Sequence, residues 1–452
     1  MTAALAGYRL LVAYANNSTF TATTSQYLNS FRDFSAADVH YLHVTQDSRP
    51  VVDLDRYDAV LISYCARLCI PGYVSEQFLR LMDGYQGVRA IAIQDEYEAV
   101  ETERKGLDRV RPDVVFTCVP PDQREAVYPS SRYPSTTFVQ VLTGYAPQHL
   151  PLRHATRPLC SRPVHLGYRG RDIGPRYGRL AVMKAEIGNV VGAAAGRRGL
   201  SCDIAMDEAS RIYGDAWYAW LGNCRCVLGT ESGSNIFDFD GSIAQECAKF
   251  GRDRLPQAVR NRIDELDRKF SMGQASPRIF EAAAMGTAMA LYRGRYSAVL
   301  EPDRHYIPIE PDHSNLEEVL DRIQDTGHMQ AMVDRARADL IDSRRYSYAA
   351  FVDIVQNALA RVLGGRPPRG GVARIQPAIT TISDQPLDEM PTAEPRHFDT
   401  FQLRNVLAQL QAASRLPAAS GSPTAAIARR LKRSRPTRIQ QLIDTVRGKH
   451  RP

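Results

Sequence analysis

Three features of the sequence predict an α/β chain built on two consecutive parallel sheets. Short apolar runs alternate with helix-patterned segments from residue 8 to about 147, the alternation restarts at Val164 after a proline-rich stretch, and a helix-glycine-strand unit spans 276–291. Strand-helix alternation implies parallel strands whose crossover helices cover both faces of the sheet. Sheets of this kind bind ligands beyond the carboxyl ends of their strands, so the residues just after each apolar run carry the functional weight.

In the first series, strands are expected at 8–15, 39–44, 59–65, 90–94, 114–119 and 138–142, with helices over 25–34 and 74–84. Pro147, Pro151, Pro158 and Pro163 then interrupt the pattern. A first domain of residues 1–150 and a second of residues 160–365 follow from that break. The second domain is expected to hold a strand at 164–169, a helix near 176–197, and strands at 202–206 and 226–229. Between those last two strands lies a helix, 213–221, with Tyr213, Trp217, Trp220 and Leu221 on one apolar face. Ser276 suits an N-cap, Pro277 the first turn after it, and Ala282, Ala283 and Ala284 allow close packing on a sheet. Gly286 then permits the turn into an apolar strand, 287–291. No internal repeat of 20–50 residues is evident.

Length and composition suit two or three domains, with 452 residues of which 44% are apolar. The net charge of +7 is unevenly spread: from Arg366 onward 15 Lys and Arg stand against 6 Asp and Glu, which leaves 42 against 44 in residues 1–365. The body is therefore close to neutral, and residues 366–452 form a Pro/Thr/Asp-rich linker and a basic tail, partly disordered or helical. Nine basic residues from Arg429 onward are interspersed with Leu431, Ile439, Leu442, Ile443 and Val446. Such a segment is either a solvated tail or a basic amphipathic helix for an anionic membrane surface. Nucleic acid ranks below both, because no aromatic residue is present there for base stacking.

The eight cysteines are scattered through apolar runs, as suits a reducing compartment, and neither close pair, Cys65/Cys69 or Cys224/Cys226, has the companions of a zinc site. No metal and no resident cofactor is expected. Residues 1–7 are too short for a signal peptide before the first strand, and no apolar run approaches the roughly 20 residues of a membrane span. A cytoplasmic setting is expected, with peripheral membrane contact through the tail.

Three segments of the second domain can carry chemistry. Tyr168-Arg169-Gly170-Arg171 ends a strand, and a helix bearing Lys184 follows; arginines there can grip a diphosphate in two-pronged fashion, or be ordinary surface charge at a turn. Thr230-Glu231-Ser232-Gly233 follows the next strand and supplies amides and hydroxyls suited to phosphate or sugar. Asp238 and Asp240 lack the rest of a calcium loop and read better as a turn. On the helix after Ser276, Arg278 and Glu281 are three apart and share a face, fit for a phosphate and a ribose or simply for an intrahelical ion pair. In the first domain the fourth strand ends in Gln94-Asp95-Glu96-Tyr97-Glu98, where Asp95 or Glu96 can take a proton from a hydroxyl, or cap the next helix. Asn16, Asn17, Ser18 and Thr19 suit an acceptor or a turn leading into a helix, and His165 and His305 read as packing or surface residues.

Together Tyr168–Arg171, Tyr213–Asp215 with Trp217, Leu228–Gly241 and Ser276–Gly286 resemble bacterial GT-B glycosyltransferases, including spore-coat-type members and enzymes of surface-polysaccharide clusters. The resemblance covers about residues 160–365, and the first domain more loosely. It implies two Rossmann-like parallel-sheet domains facing a cleft and a metal-independent transfer of a hexose from a nucleoside diphosphate sugar to a glycan, lipid-linked or other hydroxyl acceptor. It also implies that Glu281 holds the ribose and that Arg169, Arg278 or Lys184 holds the diphosphate. Many retaining relatives have a further acid eight residues before the ribose-binding one; here that position is Gly273. Two other readings stay open: a non-catalytic sugar-nucleotide or glycan-binding scaffold, and an epimerase or phosphorylase on the same fold.

Overall fold

Six strands of the first half, β1 (Arg9–Tyr14), β2 (Asp38–His43), β3 (Ala59–Ile62), β4 (Val88–Ala92), β5 (Val114–Thr117) and β6 (Thr137–Gln140), pair in the order β2-β1-β3-β4-β5-β6. Every pairing is parallel. The central strands β3 and β5 are buried along their whole length, which is why they read as unbroken apolar runs. This computed structural model describes residues 5–15, 22–46, 48, 52–147, 157–250 and 254–369. Asn16–Thr19, the centre of the proline-rich break and almost all of the basic tail therefore lie outside the described residues.

The second sheet is also wholly parallel, with β7 (Val164–Arg169), β8 (Cys202–Ala205), β9 (Cys224–Gly229), β10 (Ala288–Tyr292) and β11 (Ile307–Ile309) in the order β11-β10-β9-β7-β8. The paired sheets are the arrangement that the GT-B resemblance implied. β11 was not expected: it is three residues long and contains Pro308, which an edge strand tolerates because one side of its ladder is unpaired. In each sheet the strand order reverses beside the first strand, between β1 and β3 and between β7 and β9, and an α/β sheet opens a crevice at such a point.

Both sheets belong to one compact unit, residues 1–384; the second unit, Gln385–Pro452, lies outside the described residues. Contacts across the carboxyl edges join the halves. Gln274 Nε2 donates to the Cys118 carbonyl at 3.3 Å and Thr143 Oγ1 to the Ala275 carbonyl at 2.5 Å. The segment after β9 also pushes Phe237 and Met272 into the core of the first half. Beside them the amides of Val100 and Glu101, which start the helix Val100–Val110, donate to the carbonyls of Asp238 and Phe239. Those first-turn amides have no partner within their own helix, so the other half of the molecule satisfies them. The last helix, Tyr348–Leu363, returns to the first half, where Phe351 meets Tyr27, Phe31 and Tyr145.

Arg162 is the largest fully buried side chain of the second half. It ties together the starts of β9 and β10 and the end of the helix Pro277–Ala284 by donating to the Cys224 and Met285 carbonyls and to Thr287 Oγ1. A cation at a helix C-terminus also meets the negative end of the helix dipole. All eight cysteines are free thiols, five of them buried. No helix among the described residues is long and apolar enough to cross a membrane.

Candidate active site

Two cavities of about 250 Å³ each open beyond the carboxyl end of β7, one toward β9 at the reversal and the other toward β8. The first lies over the ends of β7 and β9 and has Arg171, Lys184, Thr230, Glu231 and Ser232 on its polar side. The second lies against the helix Gly214–Asn223 and is lined by Arg169, Tyr213, Trp217 and Glu281. Gly170, Arg171, Ser276 and Arg278 line both and form the wall between them. Three distant segments of sequence thus converge on one continuous surface. The first turn of the helix Pro277–Ala284 belongs to that wall, with Ser276 as its N-cap, accepting from the Arg278 amide. Its dipole favours an anion there, although its first-turn amides are taken: Pro277 has none, Arg278 donates to Ser276 Oγ and Ile279 to the Ser276 carbonyl.

Lys184 sits half-buried in the first cavity and has no hydrogen-bond or ion-pair partner among the described residues. Burial pulls its pKa below the ordinary lysine value; the charge of Asp95 opposes this and that of Arg278 adds to it. Arg171 is exposed at the mouth. A cationic wall with an unpartnered ammonium is built to receive an anion.

Glu231 has its carboxylate fixed by backbone. Its Oε1 accepts from the amides of Arg295 at 2.5 Å and Tyr296 at 3.1 Å. Burial raises its pKa, and those two amides counter the rise. The carboxylate fills space that only glycines leave open: a Cβ on Gly273 would stand 2.5 Å from Oε1, and one on Gly294 would collide with the same side chain. The place beside residue 273, where the resemblance led one to look for a second acid, is therefore filled by an acid from the β9 loop. Thr230 Oγ1 donates to the Glu231 carbonyl, Ser232 exchanges backbone bonds with Gln274, and Gly233 turns the chain at φ 88 without lining either cavity.

Arg169 is placed differently from the expectation. Its guanidinium reaches sideways to Asp203 on the neighbouring strand β8, with one N–H to Oδ1 at 2.7 Å and another to the Asp203 carbonyl at 2.9 Å. Strand neighbours in a parallel sheet compete for such a side chain, and here the carboxylate wins. Trp217, assigned to an apolar face by its helical spacing, donates from Nε1 to Glu281 Oε2 at 2.8 Å. Tyr213, assigned to the same face, is 54% exposed. The presence of the chain's only two tryptophans on one helix was the available signal for that role.

In the first half, Asp95 and Glu96 separate. Asp95 is half-exposed with φ 55, its Oδ1 accepting from Tyr97 Oη at 2.7 Å and its Oδ2 lying 3.8 Å from Arg67. It is near enough to Lys184 for each to feel the other's charge. Glu96 points the other way, into the protein: it is 2% exposed, its Oε1 accepts from Thr117 and Tyr128 hydroxyls, and its Oε2 accepts from the Cys118 amide. Burial pushes its pKa up to about 8. As a candidate base it is corrected: the chain has left β4 by this point and turns at Asp95, so that Glu96 folds back into the first half while Asp95 stays exposed. Glu98, not singled out as a base, bridges the halves by accepting from Arg67 at 3.0 Å, Arg176 at 3.3 Å and the Tyr177 hydroxyl.

Asp238 and Asp240 accept from the amides of Ile243, Ala244 and Ser242 at the start of the helix Ser242–Phe250, the turn expected for them. His165 bonds Ser201 and His305 bonds Asp339, and neither lines either of the two cavities. No three His, Cys, Asp or Glu side chains gather as metal ligands among the described residues.

No family model matches the chain, and no curated protein does. Among solved structures it is similar to an α-glucosyltransferase in complex with UDP-glucose and DNA containing an abasic site, at 11% identity and a TM-score of 0.48 over 78% of this chain and 99% of that one. A DNA-modifying β-glucosyltransferase gives 12% identity and a TM-score of 0.46 over 78% and 99%. A pneumococcal O-GlcNAc transferase, GtfA, in complex with UDP and GlcNAc gives 11% and 0.39 over 68% and 57%.

Proposed function

We propose that this chain is a GT-B glycosyltransferase, moving a hexose from a nucleoside diphosphate sugar to a hydroxyl acceptor. One observation carries the reading: two adjoining cavities share a basic wall, and each adds a carboxylate of its own, Glu281 in one and Glu231 in the other. A nucleotide sugar has the matching order of parts, a hydroxyl-bearing ring on each side of a diphosphate. Glu281 accepts hydrogen bonds from the ribose, Glu231 with Thr230 and Ser232 meets the hexose, and Lys184, Arg171 and Arg278 hold the diphosphate.

In the reaction the acceptor oxygen bonds to the anomeric carbon as the bond from that carbon to the phosphate oxygen breaks. The electron pair leaves with the diphosphate, whose growing charge the three cations and the helix dipole stabilise. Asp95 takes the proton from the acceptor hydroxyl. The proposed acceptor is a glycan or a lipid-linked or other hydroxyl, in surface glycan or glycoconjugate synthesis on the cytoplasmic side, with the basic tail resting on anionic lipid.

A panel of UDP-, GDP- and dTDP-sugars tests the reading by release of the nucleoside diphosphate. Release with one donor is expected, faster once an acceptor is added. Binding without release favours a scaffold, and a changed sugar still attached to its nucleotide favours an epimerase. No binding to any member overturns the proposal.

A further inference from the structure

Four side chains beside Glu281 form one column. The Arg278 guanidinium lies 5.4 Å from the centroid of the Trp217 ring, the Trp217 and Trp220 rings stack at 5.0 Å with 22° between planes, and the Arg169 guanidinium lies 4.8 Å from the Trp220 ring. Each layer is also tied in its own plane. Trp217 Nε1 donates to Glu281 Oε2 at 2.8 Å, Trp220 Nε1 donates to Asp203 Oδ2 at 2.7 Å, and Arg169 donates to Asp203 Oδ1. Arg278 closes the set by donating to the carbonyl of Arg169. Cations on both outer faces of an indole pair attract the rings' negative faces, and the spacing of three along a helix brings the two indoles together.

An indole offers a single N–H, so Trp217 pins one oxygen of Glu281; the other oxygen has no partner among the described residues, in a residue that lines the second cavity. We propose that Trp217 is a positioning residue, aiming the free oxygen of Glu281 at the ligand, and that the preference of this site for a ribose over a 2′-deoxyribose depends on that indole N–H. This inference rests on the donor reading above. Arg169 thereby gains a role other than gripping phosphate: it is the base on which the column stands.

A pH signature follows. Burial raises the pKa of Glu281, and the Trp217 N–H, followed by the charge of Arg278, holds it down. The other titratable groups facing this carboxylate are Tyr218, on the same helix as Trp217, and Tyr348 of the last helix. Both are pushed upward by burial and stay neutral near pH 7. Removing the indole N–H therefore lets Glu281 protonate at higher pH, and binding that needs the carboxylate is lost sooner as pH falls.

Calorimetry on wild type, Trp217→Phe and Glu281→Gln, with UDP, GDP and their 2′-deoxy forms across pH, tests this. The phenylalanine keeps an aromatic ring in the stack and removes the donor with the rest of the indole. It should weaken the preferred ribonucleotide about tenfold, leave the deoxy form nearly unchanged, and move the acid limb of binding to higher pH. Glu281→Gln should lose the ribose preference together with the acid limb. Wild-type discrimination and pH profile in Trp217→Phe overturn the inference while leaving the donor reading intact; no nucleotide bound by wild type overturns both. Should Trp217→Phe not fold, wild type still decides, because its only two tryptophans are in the column. Nucleotide binding seen by calorimetry with no change in tryptophan emission rules the column out as a part of the ligand site.

Discussion

Replacing Lys184 by Met should move binding and stability in opposite directions. The ammonium lies in the first cavity with no hydrogen-bond or ion-pair partner among the described residues, and burial already pulls its pKa down. A charge-assisted bond from such a group to phosphate contributes about 1.5–3 kcal/mol. Half-burial leaves some solvent screening, so about 2 kcal/mol is a fair expectation, or roughly a thirtyfold rise in the Kd for UDP by calorimetry. The apolar replacement has similar length and removes an unpaired charge, so stability should hold or rise by up to about 1 kcal/mol in urea titrations. The sign with pH is fixed: because the folded-state pKa lies below the unfolded one, the unfolded chain binds more protons between the two values. Wild-type stability therefore gains as pH climbs through that window, and the gain should vanish in Lys184→Met. UDP affinity equal to wild type, or a loss of stability beyond about 1 kcal/mol, would show that the ammonium is structural rather than a ligand for anions.

Glu96→Gln should keep donor turnover, because the carboxyl is sealed inside the first half and does not line either large cavity. Its raised pKa makes its contribution to stability complete below the ordinary carboxylate value and lost as pH rises through about 8. The variant should therefore be more stable than wild type above that pH in chemical melts, and a tenfold loss of turnover in a folded variant would restore Glu96 as the base. Gly273→Ala should displace the Glu231 carboxylate, since its Cβ would stand 2.5 Å from Oε1 at a backbone φ of +42. A cost of about 1–2 kcal/mol in stability is expected. Affinity for a UDP-sugar should fall while affinity for UDP is kept, and equal losses for both would place Glu231 elsewhere than at the hexose.

Strands β1, β3 and β5 were legible in the sequence because a parallel sheet covered on both faces demands continuous apolar runs, and helix Pro277–Ala284 because its Ser276 cap and Gly286, at φ 58, are local signals. Arg171 and Glu231 were legible as candidates from a topological rule, their position just after the carboxyl ends of strands, and Lys184, Arg278 and Glu281 from their helices and the resemblance these carry. β11 was not, since three residues around a proline carry no periodic signal. Nor could spacing tell that Arg169 turns to Asp203, that Glu96 is buried while Asp95 faces the second half, or that Trp217 is the donor to Glu281.

The sequence by itself determined two parallel sheets and their order along the chain, because burial period, caps and breaks act over a few neighbouring residues. Only the tertiary structure decided which charged groups are spent on one another and which stay free. Asp203 and Arg169 are 34 residues apart, Trp217 and Glu281 are 64 apart, and their pairing depends on packing that brings distant segments within hydrogen-bond reach.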